Sequence, residues 1–527
     1  MTNRNRVRLS KLSLGLAFAL AAAPAFAQQT SAALGGVVSS EQGQPIAGAE
    51  VIIVHTPSGT TSRATTDASG RYNARGLRVG GPYTVTVIRD GFQSEVQEDV
   101  YLVLGEASAV NVDLATAQAT ELEAIQVVGT ATSDIFGPDK MGTGTNVSRD
   151  QIDALPSIQR SIQDYMRLDP RVSQTDKQRG EISAGGQNTR FNAIRIDGVS
   201  TNDPFGLEAN NLPTLRQPVS MDAIEAISID LAKYDVTITG ATGAVVDAVT
   251  KSGTNEFNGS VYYVYRDNDW VRDNENGDAF NGFLDEETYG ATFGGPIVKD
   301  RLFFFANYEK FTRNAPGPSF GPVGSGASNE VNITQAQIDE AIDIARNVWG
   351  FDPGSFSVPA GLKTEVEEQA IKLDWNINDF HRASLRYSKT EQVDANLPGL
   401  GTNSLSLNSY WYNHEKEFEN TVVQVFSDWS DNLSTEFKLS QRDYSAIRVP
   451  LSVSNAPQIG INMGPVNAGD ADRPGNGPFL NLGTEQFTHM NIVETEQLSA
   501  FGAATMWFGD HELKFGFDWE KNDIFNL

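Results

Sequence analysis

The most restrictive feature of this 527-residue sequence is a series of about nine segments after Asn255 in which apolar or aromatic residues alternate with polar ones. Such alternation is typical of a β-strand with one apolar and one polar face, because successive side chains point to opposite sides. In the last segment, the apolar Leu513 and Trp519 are at odd-numbered positions, and the charged Glu512 and Lys514 are at even-numbered positions. The segments read FNGSVYYVYRD, ETYGATFGG, RLFFFANYEKF, AIKLDWNI, RASLRYSKT, NTVVQVFSDW, TEFKLSQRD, ETEQLSAFGAATMWF and ELKFGFDWE.

The connections between these segments alternate in length. Long stretches such as 313–363, 391–417 and 445–488 are separated by the short turns GPIVKD, NDFH, SDNL and GDH. Tight turns at one rim and long loops at the other are typical of an antiparallel barrel in a bacterial outer membrane, with apolar side chains toward lipid and polar ones toward the lumen. A soluble all-β adhesin is the alternative, and it would need further sheets to cover the apolar faces.

The N-terminus and the composition indicate where the protein is located. Arg4, Arg6, Arg8 and Lys11 precede the apolar run LSLGLAFALAAA and the sequence AFA, which predicts a secretory signal peptide over 1–27 with cleavage between Ala27 and Gln28. The chain has no cysteine, which excludes disulfides and thiolate metal sites. Its net charge of −27 argues against a nucleic-acid partner.

Residues 30–116 have the pattern of a small β-sandwich. About seven short β-prone runs, among them AEVIIVHT and PYTVTVIRDGF, are separated by turn signals such as DASG and RVGGP. His55 is the only histidine of this region, so a histidine-based metal site is not expected there. Asp67 is predicted to form an Asx-type turn into the sequence ASG.

Residues 121–134, ELEAIQVVGTATSD, are a short β-prone run followed by small polar residues. From the residues alone this segment is either a linker or an extended strand that adds to the sheet of a partner. Residues 138–255 are predicted to be mixed α/β. Two short helices after a cap at Ser148, separated by Pro156, precede a strand that ends in an Asp197–Gly198 turn.

Several blocks of sequence resemble TonB-dependent outer-membrane receptors. RSIQDYMRLDPRV, GGQNTRFNAIRIDGVSTND, PVSMDAIEAISIDLAKYDV and GAVVDAVTKSGTNEFNGSVYY are similar to the plug domain of that family. GQPIAGAEVII and TTDASGRYNARGLRVGGPYTVTVIRDGF resemble a carboxypeptidase regulatory-like domain, a prealbumin-like, carbohydrate-binding-like sandwich. This order of domains resembles the Oar-like (OmpA-related) subgroup.

The resemblance implies a mainly β protein with a signal peptide, the sandwich, a TonB-box linker over 121–134, an α/β plug over 138–255 and barrel strands over 256–527. AIQVVGT occupies the position of the TonB box, and the partner-binding residues are then Ile125, Gln126, Val127, Val128 and Gly129. It lacks the Thr-Val pairing of the commonest box. The resemblance favours a TonB-contacting strand over a plain linker.

The family's barrel is expected to have about twenty-two strands around the plug. A ninth strand would run toward the cell exterior, whereas a single-chain bacterial barrel has an even number of strands and ends at the periplasm. Nine strands cannot close around a plug domain, and unpaired strand edges are unfavourable in lipid. The sequence is therefore expected to be a C-terminally truncated fragment that includes the first part of an incomplete barrel.

The plug motif GGQNTRFNAIRIDG contains the candidate site residues. Arg190 and Arg195 are interpreted either as partners of acidic side chains in the barrel lumen or as internal packing of the plug. Asp197 is expected in the tight turn. The full set of plug candidates is Gln187, Asn188, Arg190, Asn192, Arg195 and Asp197.

No catalytic, metal or cofactor site is expected. The five histidines are scattered, no phosphate-binding glycine motif stands in a strand–helix context, and the loop 267–278 does not have the spacing of an EF-hand calcium loop. In the loop 313–363, Thr334 and Gln337 predict a capping box at the start of an amphipathic helix. That helix is either a lid or a packing element of the loop.

The function that follows is a TonB-dependent receptor and transporter, not an enzyme, in the outer membrane of a Gram-negative bacterium. It would bind an extracellular ligand, an iron chelate, saccharide or peptide, and import it with energy delivered by TonB. Its partners are then TonB, outer-membrane lipid and that ligand. The alternative is a surface-binding or structural outer-membrane protein that transports nothing and uses its sandwich to bind carbohydrate.

Overall fold

The structure is a computed structural model that describes residues 30–105, 107–117, 144–157, 159–177, 179–231, 237–238, 240–273, 277, 280–452, 456–464, 466–467, 470–474, 477–508 and 511–527. The predicted signal peptide with Ala27 and Gln28, and the linker with the TonB-box residues Ile125–Gly129, lie outside the described residues. In the described part of the chain, no helix is long and apolar enough to cross a membrane.

Residues 30–117, as far as the structure describes them, form a sandwich of eight strands, close to the predicted number. One sheet has the order β4-β1-β7 with β8 also pairing with β1, and the other has the order β3-β2-β5-β6. Alternate residues such as Val51, Ile53 and Val85 are fully buried between the sheets. The strands are β1 (Ala32–Ser40), β2 (Glu50–His55), β3 (Thr60–Thr65), β4 (Arg71–Leu77), β5 (Gly80–Ile88), β6 (Glu95–Leu102), β7 (Ala107–Ala109) and β8 (Val112–Leu114).

The sandwich has an apolar core of its own, and that core reaches Ala226 and Val249 of the plug. The predicted Asx turn is confirmed, because the Asp67 carboxylate accepts hydrogen bonds from Ser69 N at 2.8 Å and from Arg71 N at 2.9 Å.

The described residues from 144 to 250, which we call the plug after the predicted domain, contain a mixed sheet in the order β13-β12-β15-β14-β9, in which β12 and β15 are parallel. The predicted cap is confirmed, because Ser148 and Gln151 form a capping box at α1. After these elements, Met221–Ala223 form a 3₁₀ turn and Ile224–Asp230 form strand β14. The elements are β9 (Gly144–Val147), α1 (Arg149–Ala154), α2 (Ile162–Met166), β10 (Val172–Asp176), β11 (Glu181–Ala184), a 3₁₀ turn (Thr189–Phe191), β12 (Ala193–Ile196), β13 (Val199–Ser200), a 3₁₀ turn (Met221–Ala223), β14 (Ile224–Asp230) and β15 (Val245–Thr250).

The remaining strands follow in chain order: β16 (Asn258–Asp267), β17 (Asp285–Val298), β18 (Leu302–Pro316), β19 (Phe320–Pro322), β20 (Asn329–Val331), β21 (Gly361–Asn378), β22 (His381–Asn396), β23 (Ser404–Ser406), β24 (Tyr412–Ser430), β25 (Leu433–Pro450), β26 (Ile459–Asn462), β27 (Val466–Asn467), β28 (Asp470–Pro474), β29 (Phe479–Leu482), β30 (Ile492–Phe508) and β31 (His511–Asn526). The helical elements here are α3 (Gln335–Ile344), a π-helical turn (Ala345–Trp349) and 3₁₀ turns (Asn268–Trp270, Asn408–Tyr410).

In the part of the chain that the structure describes, nine of these strands form one antiparallel sheet in the order β16-β17-β18-β21-β22-β24-β25-β30-β31. Each of the nine predicted segments lies in one of these strands. Among the described strands, β16 and β31 stand at the two edges and do not pair with each other. We call this sheet the barrel wall. The short turns 299–301, 379–380 and 431–432 lie along one rim of it, as the alternation of loop lengths predicts.

The strands of the barrel wall extend further into the long loops than the sequence predicted. The predicted loop 391–417 belongs partly to β22 and β24, and β25 reaches Pro450. Strands here have up to 19 residues, whereas a membrane crossing needs about 9–11. Beyond the membrane both faces can be polar, so the apolar–polar alternation fades although the backbone pairing continues.

The two faces of the barrel wall separate polar from apolar side chains. Lys372, Arg386 and Lys438 point to the plug side and are buried. On the opposite face Val261 and Trp375 are 86% and 52% exposed. The predicted parity is confirmed: polar side chains line the lumen, and aliphatic and aromatic side chains form the outer face.

The long loops pack against one another. Helix α3, with the predicted Thr334–Gln337 capping box, buries Ile338 and Ile342 in a cluster with Leu405 and Leu480. Strands from two other loops, β23, β26 and β29, form a small sheet in the same cluster. Of the two interpretations of this helix, packing within the loops is the one that these contacts support.

Candidate functional site at the contact between plug and barrel

The hairpin of β12 and β13 is the part of the plug motif that meets the barrel wall. Asp197 and Gly198 link the two strands with φ angles of +48° and +70°, as in a two-residue type I′ turn. The predicted tight turn is confirmed. Parallel pairing of β12 with β15 places the turn beside Thr250, at the end of β15.

The carboxylate of Asp197 has partners on both sides of the contact. Within the plug, its oxygens accept hydrogen bonds from Thr250 N at 2.9 Å and Thr250 Oγ1 at 2.7 Å. From the barrel wall, Arg386 Nε approaches Asp197 Oδ2 to 2.9 Å. Asp197 is 3% exposed and Arg386 is also buried.

These partners keep Asp197 ionised. Burial alone would raise the pKa of the carboxyl group, but Lys372, Arg386 and the hydrogen bonds from Thr250 outweigh that effect and hold its pKa below the ordinary value. The turn therefore presents a buried negative charge to the barrel wall.

Cationic side chains of the barrel wall converge on the backbone of this hairpin and of the adjacent end of β15. Lys438 Nζ on β25 donates to Gly198 O at 2.6 Å. Arg442 Nη1, four residues further along the same strand, donates to Ser200 O at 3.0 Å. On β21, Lys372 Nζ donates to Thr250 O at 3.0 Å. We call these residues, together with Arg386, the cationic cradle. It binds plug oxygens with charge-assisted hydrogen bonds from three strands of the barrel wall.

A second contact has the opposite polarity. Arg216 of the plug pairs with Glu309 of β18, with 2.8 Å between Nη2 and Oε1. Tyr262 of β16 donates its hydroxyl to the other oxygen of Glu309 at 2.7 Å. The guanidinium of Arg216 also stacks on Phe311, 4.6 Å from the ring centre.

A third contact lies nearer the long loops. Glu208 of the plug pairs with Lys416 of β24 at 2.5 Å and accepts from Gln392 Nε2 of β22 at 3.1 Å. The side-chain oxygen of Gln392 in turn accepts from Leu215 N at 2.7 Å. The plug is therefore joined to the barrel wall at three places by polar and ionic bonds.

The predicted arginines serve the plug itself. Arg195 forms a bidentate ion pair with Asp247 of β15, in which both N–O distances are 2.7 Å and both residues are buried. Arg190 donates to Gly206 O at 2.7 Å, again within the plug. Of the two interpretations of these arginines, internal packing of the plug is the one that these contacts support. At the hairpin the charges are reversed: the acid belongs to the plug and the cations to the barrel wall.

The other predicted residues lie in the chain just before the hairpin and make contacts within the plug. Gln187 is exposed after β11, and its backbone N donates to Ala184 O at 3.0 Å. Asn188 caps the following 3₁₀ turn through Arg190 N. Asn192 is buried, donates to Ile182 O at 3.1 Å and accepts from Ala244 N at 2.9 Å. Their contacts are structural, and a functional role for them stays a prediction.

Sequence reasoning missed the cationic cradle, although a signal was present. Lys372, Arg386, Lys438 and Arg442 all lie within predicted strands at the positions of the polar face. A cation at membrane depth is costly unless it faces the lumen and has a partner there. Such positions could have been identified as contacts to the plug, although not the atoms that they bind.

Comparison with known families agrees with this architecture. The model described as carboxypeptidase regulatory-like domain matches residues 33–115, and the one described as outer membrane beta barrel domain matches residues 249–342 and 345–527. Because the second match covers more than half of the chain, the chain belongs to the outer-membrane β-barrel family. The protein is located in the outer membrane of a Gram-negative bacterium.

The chain is similar in sequence to proteins named as TonB-dependent receptors and transporters. The TonB-dependent transporter Oar of Myxococcus xanthus is 30% identical over 404 residues, which cover 72% of this chain and 35% of the relative. A probable TonB-dependent siderophore receptor, PirA of Acinetobacter baumannii, is 25% identical over 315 residues, or 53% of this chain and 36% of the relative. The chain thus spans about a third of the length of these curated relatives. Both relatives are receptors or transporters and not enzymes.

A solved structure shares the fold. The outer membrane transporter YddB of Escherichia coli superposes with a TM-score of 0.50 at 12% identity, over 72% of this chain and 48% of that one. At this identity the likeness concerns the fold alone. Among the described residues, no group of three or more histidine, cysteine or acidic residues has the geometry to hold a metal ion.

Proposed function

We propose that the protein is a TonB-dependent receptor that imports an extracellular ligand across the outer membrane. The observation that carries this proposal is the cationic cradle. It holds backbone oxygens of the plug, those of Gly198 and Ser200 in the hairpin at 2.6 Å and 3.0 Å and that of Thr250 in β15 at 3.0 Å. Apolar packing alone could seal a barrel whose plug never moves. The contact between this plug and the barrel wall consists instead of hydrogen bonds that water can replace one by one.

The strength of these bonds depends on the absence of water. A hydrogen bond to a charged group contributes about 1.5–3 kcal/mol when it is buried and satisfied. Ion pairs exposed to solvent contribute only about 0–1 kcal/mol. Once a pull on the plug admits water to the cradle, the remaining bonds weaken. The hairpin is then held firmly at rest and released cooperatively under force.

The coupling step is assigned to the segment 121–134. Ile125, Gln126, Val127, Val128 and Gly129 would add as a strand to the sheet of TonB, where backbone hydrogen bonds supply most of the affinity. The segment precedes β9, the first plug strand in the described residues, so tension on it is transmitted directly into the plug sheet.

The ligand is proposed by class. PirA is named as a siderophore receptor, which favours an iron chelate, while a saccharide or a peptide are the other classes that we propose for this chain. The ligand would bind on the side of the packed long loops, above Glu208 and Lys416. No resident cofactor takes part in this proposal.

The test is a deletion of residues 124–130 in the intact protein, expressed in a strain that lacks its native copy. Uptake is measured with iron-55-labelled enterobactin, with a fluorescent maltooligosaccharide and with a fluorescent oligopeptide. The matched control deletes 131–137, which shortens the linker by the same seven residues but leaves the proposed box intact. Loss of uptake in the first variant and retention in the second is expected. Unchanged uptake with the box deleted would contradict the transport mechanism, and surface binding without any uptake would favour a surface-binding protein.

A further inference from the structure

The inward-facing side of strand β3 is polar, which is unusual for the buried face of a sandwich. Thr60 and Ser62 are 6% and 2% exposed, yet their hydroxyl groups do not face the apolar core of their own domain alone. Asn376 of β21 donates to Thr60 Oγ1 at 2.6 Å, and Arg382 of β22 donates to Ser62 Oγ at 2.5 Å. Both donors stand at the ends of β21 and β22 that are joined by a short turn.

Arg382 is the centre of this contact. Besides Ser62, its guanidinium donates to Arg75 O at 2.7 Å, at the end of β4. It therefore connects both sheets of the sandwich to the barrel wall. Its pairing with Asp428 of β24, at 3.6 Å, keeps it in place from the barrel side.

The short turns of the rim add further bonds. Arg63 Nε donates to Asp379 Oδ2 at 3.0 Å, and Thr65 N donates to Asp431 Oδ1 at 3.2 Å. Arg75 Nη2 pairs with Glu512 of β31 at 2.7 Å, and Arg75 Cζ lies 5.2 Å from the ring centre of Trp507. We call the contacts of Arg382, Asn376, Asp379, Asp431 and Glu512 with the sandwich the rim latch.

The contact also encloses a polar cavity. A cavity of about 150 Å³ lies where the sandwich, the plug and the barrel wall meet, and His55, Glu225, Lys372 and Arg382 are among its lining residues. That volume, with charged and polar walls, has room for several water molecules. Polar interfaces between domains, unlike large hydrophobic ones, allow the domains to move apart.

We propose that the sandwich is a detachable inner closure of the barrel, held at the periplasmic rim by the rim latch and released as one folded body. Two observations carry the proposal. The apolar core of the sandwich includes Ala226 and Val249 of the plug, but its other buried members all belong to the sandwich, so the domain stays folded when it leaves. The surface that it would expose at the rim carries Thr60, Ser62 and Arg63, which water solvates readily. The proposal rests on the proposed transport function in one respect, that release accompanies passage of the ligand.

The absence of cysteine from the chain makes release measurable with single introduced thiols. Ser62→Cys reports on the rim contact, and Val51→Cys, in the centre of the sandwich core, reports on its folding. Both are exposed to a polyethylene-glycol maleimide in isolated outer membranes that contain the intact protein. Arg382→Ala removes the centre of the rim latch. Lys389→Ala is the matched control, because Lys389 lies on the same strand but on the opposite face of the sheet.

The expected result is that Arg382→Ala accelerates labelling of Ser62→Cys by about tenfold, while Lys389→Ala does not and Val51→Cys stays protected in both. Unchanged labelling of Ser62→Cys in Arg382→Ala would overturn the rim latch. Faster labelling of both thiols would overturn the release of a folded body, because it would show that the sandwich unfolds instead.

A comparison in living cells separates this inference from the proposed function. Labelling of Ser62→Cys is expected to be faster with residues 124–130 present than with them deleted. If uptake requires 124–130 but labelling does not depend on them, the inner closure is wrong and the transporter stands. If uptake does not require 124–130, the proposed function is wrong, whereas the response of Ser62→Cys to Arg382→Ala still decides whether the rim latch exists.

Discussion

Arg386 of the barrel wall and Asp197 of the plug form a buried ion pair, with 2.9 Å between Nε and Oδ2. Asp197 is held from the plug side by Thr250, so the pair joins the end of the plug sheet to β22. A buried charge that loses its partner is strongly destabilising, which makes this pair the most direct point at which to perturb the contact.

Replacing Arg386 by Ala is expected to loosen the plug hairpin by about 3–5 kcal/mol, because Asp197 would remain buried without its guanidinium partner. Hydrogen–deuterium exchange of peptides that cover β12 and β13 in the detergent-purified protein measures the effect. Lys389→Ala on the same strand is the control. Exchange of the hairpin that is equal in both variants would show that the pair does not hold the plug.

The same carboxylate predicts a dependence on pH. Its pKa is lower in the folded protein than the ordinary value of 3.8, so its contribution to stability is complete above that value and is lost as the pH falls through the folded pKa. The difference in melting temperature between the native protein and Asp197→Asn should therefore be constant from neutral pH to about pH 4 and shrink below it. A difference that already shrinks between about pH 7 and pH 5 would contradict the assignment.

Arg195 should behave differently from Arg386, because its partner Asp247 belongs to the plug itself. Arg195→Ala is expected to destabilise the plug fold by about 3–5 kcal/mol, whereas Arg195→Met combined with Asp247→Leu should recover much of that loss. Exchange across the whole plug sheet, and not at the hairpin alone, is the measurement. A double variant as unstable as the single one would indicate that the charges have a role beyond packing.

Helix α3 offers a test of the packed loops. Ile338 is fully buried in the loop cluster, and Val348 in the π-helical turn is 73% exposed. Ile338→Ala should destabilise the cluster by about 2–5 kcal/mol through lost contacts and a cavity, and Val348→Ala should have little effect. Cleavage of the long loops by an added protease on intact cells reports the difference. Equal cleavage in both variants would indicate that the helix moves freely as a lid.

The sequence predicted the strands well because alternation is a local property. Each of the nine barrel segments, the Asp197–Gly198 turn and the Ser148 cap depend on neighbours within a few residues. The cationic cradle depends instead on which strand of the wall faces the hairpin, and Arg386 is 189 positions from Asp197 in the chain. Arg195 shows the same difficulty: nothing local distinguishes an arginine that pairs with Asp247 from one that reaches the lumen.

The sandwich contact was also beyond prediction from the sequence. Thr60 and Ser62 have the parity of buried residues in β3, but hydroxyl groups at such positions are equally compatible with a solvated strand at a sheet edge. Their donors, Asn376 and Arg382, lie more than 300 residues away. The separate folds were readable from local patterns, whereas their contacts required the structure.

A disulfide between Gly59 and Asp300 provides the strongest test of how the sandwich sits on the rim. A Cβ built on Gly59 lies 3.2 Å from Asp300 Cγ, the position that the sulfur of a cysteine at 300 would approximate. Across a disulfide the distance from Cβ to the opposite sulfur is about 3.0 Å, so Gly59→Cys with Asp300→Cys should cross-link on mild oxidation.

Both positions have positive φ, at +64° and +62°, and the glycine replacement is expected to cost about 1–2 kcal/mol. Each single variant therefore serves as a control for stability. The matched pair Val54→Cys with Thr61→Cys, on paired strands within the sandwich, controls for the effect of a disulfide that does not reach the barrel.

Mass spectrometry of tryptic peptides from oxidised outer membranes detects the bond. Arg382→Ala in the same background should slow its formation by about tenfold, because release of the sandwich moves position 59 away from position 300. A pair that fails to oxidise while the control pair does would place the sandwich away from the rim.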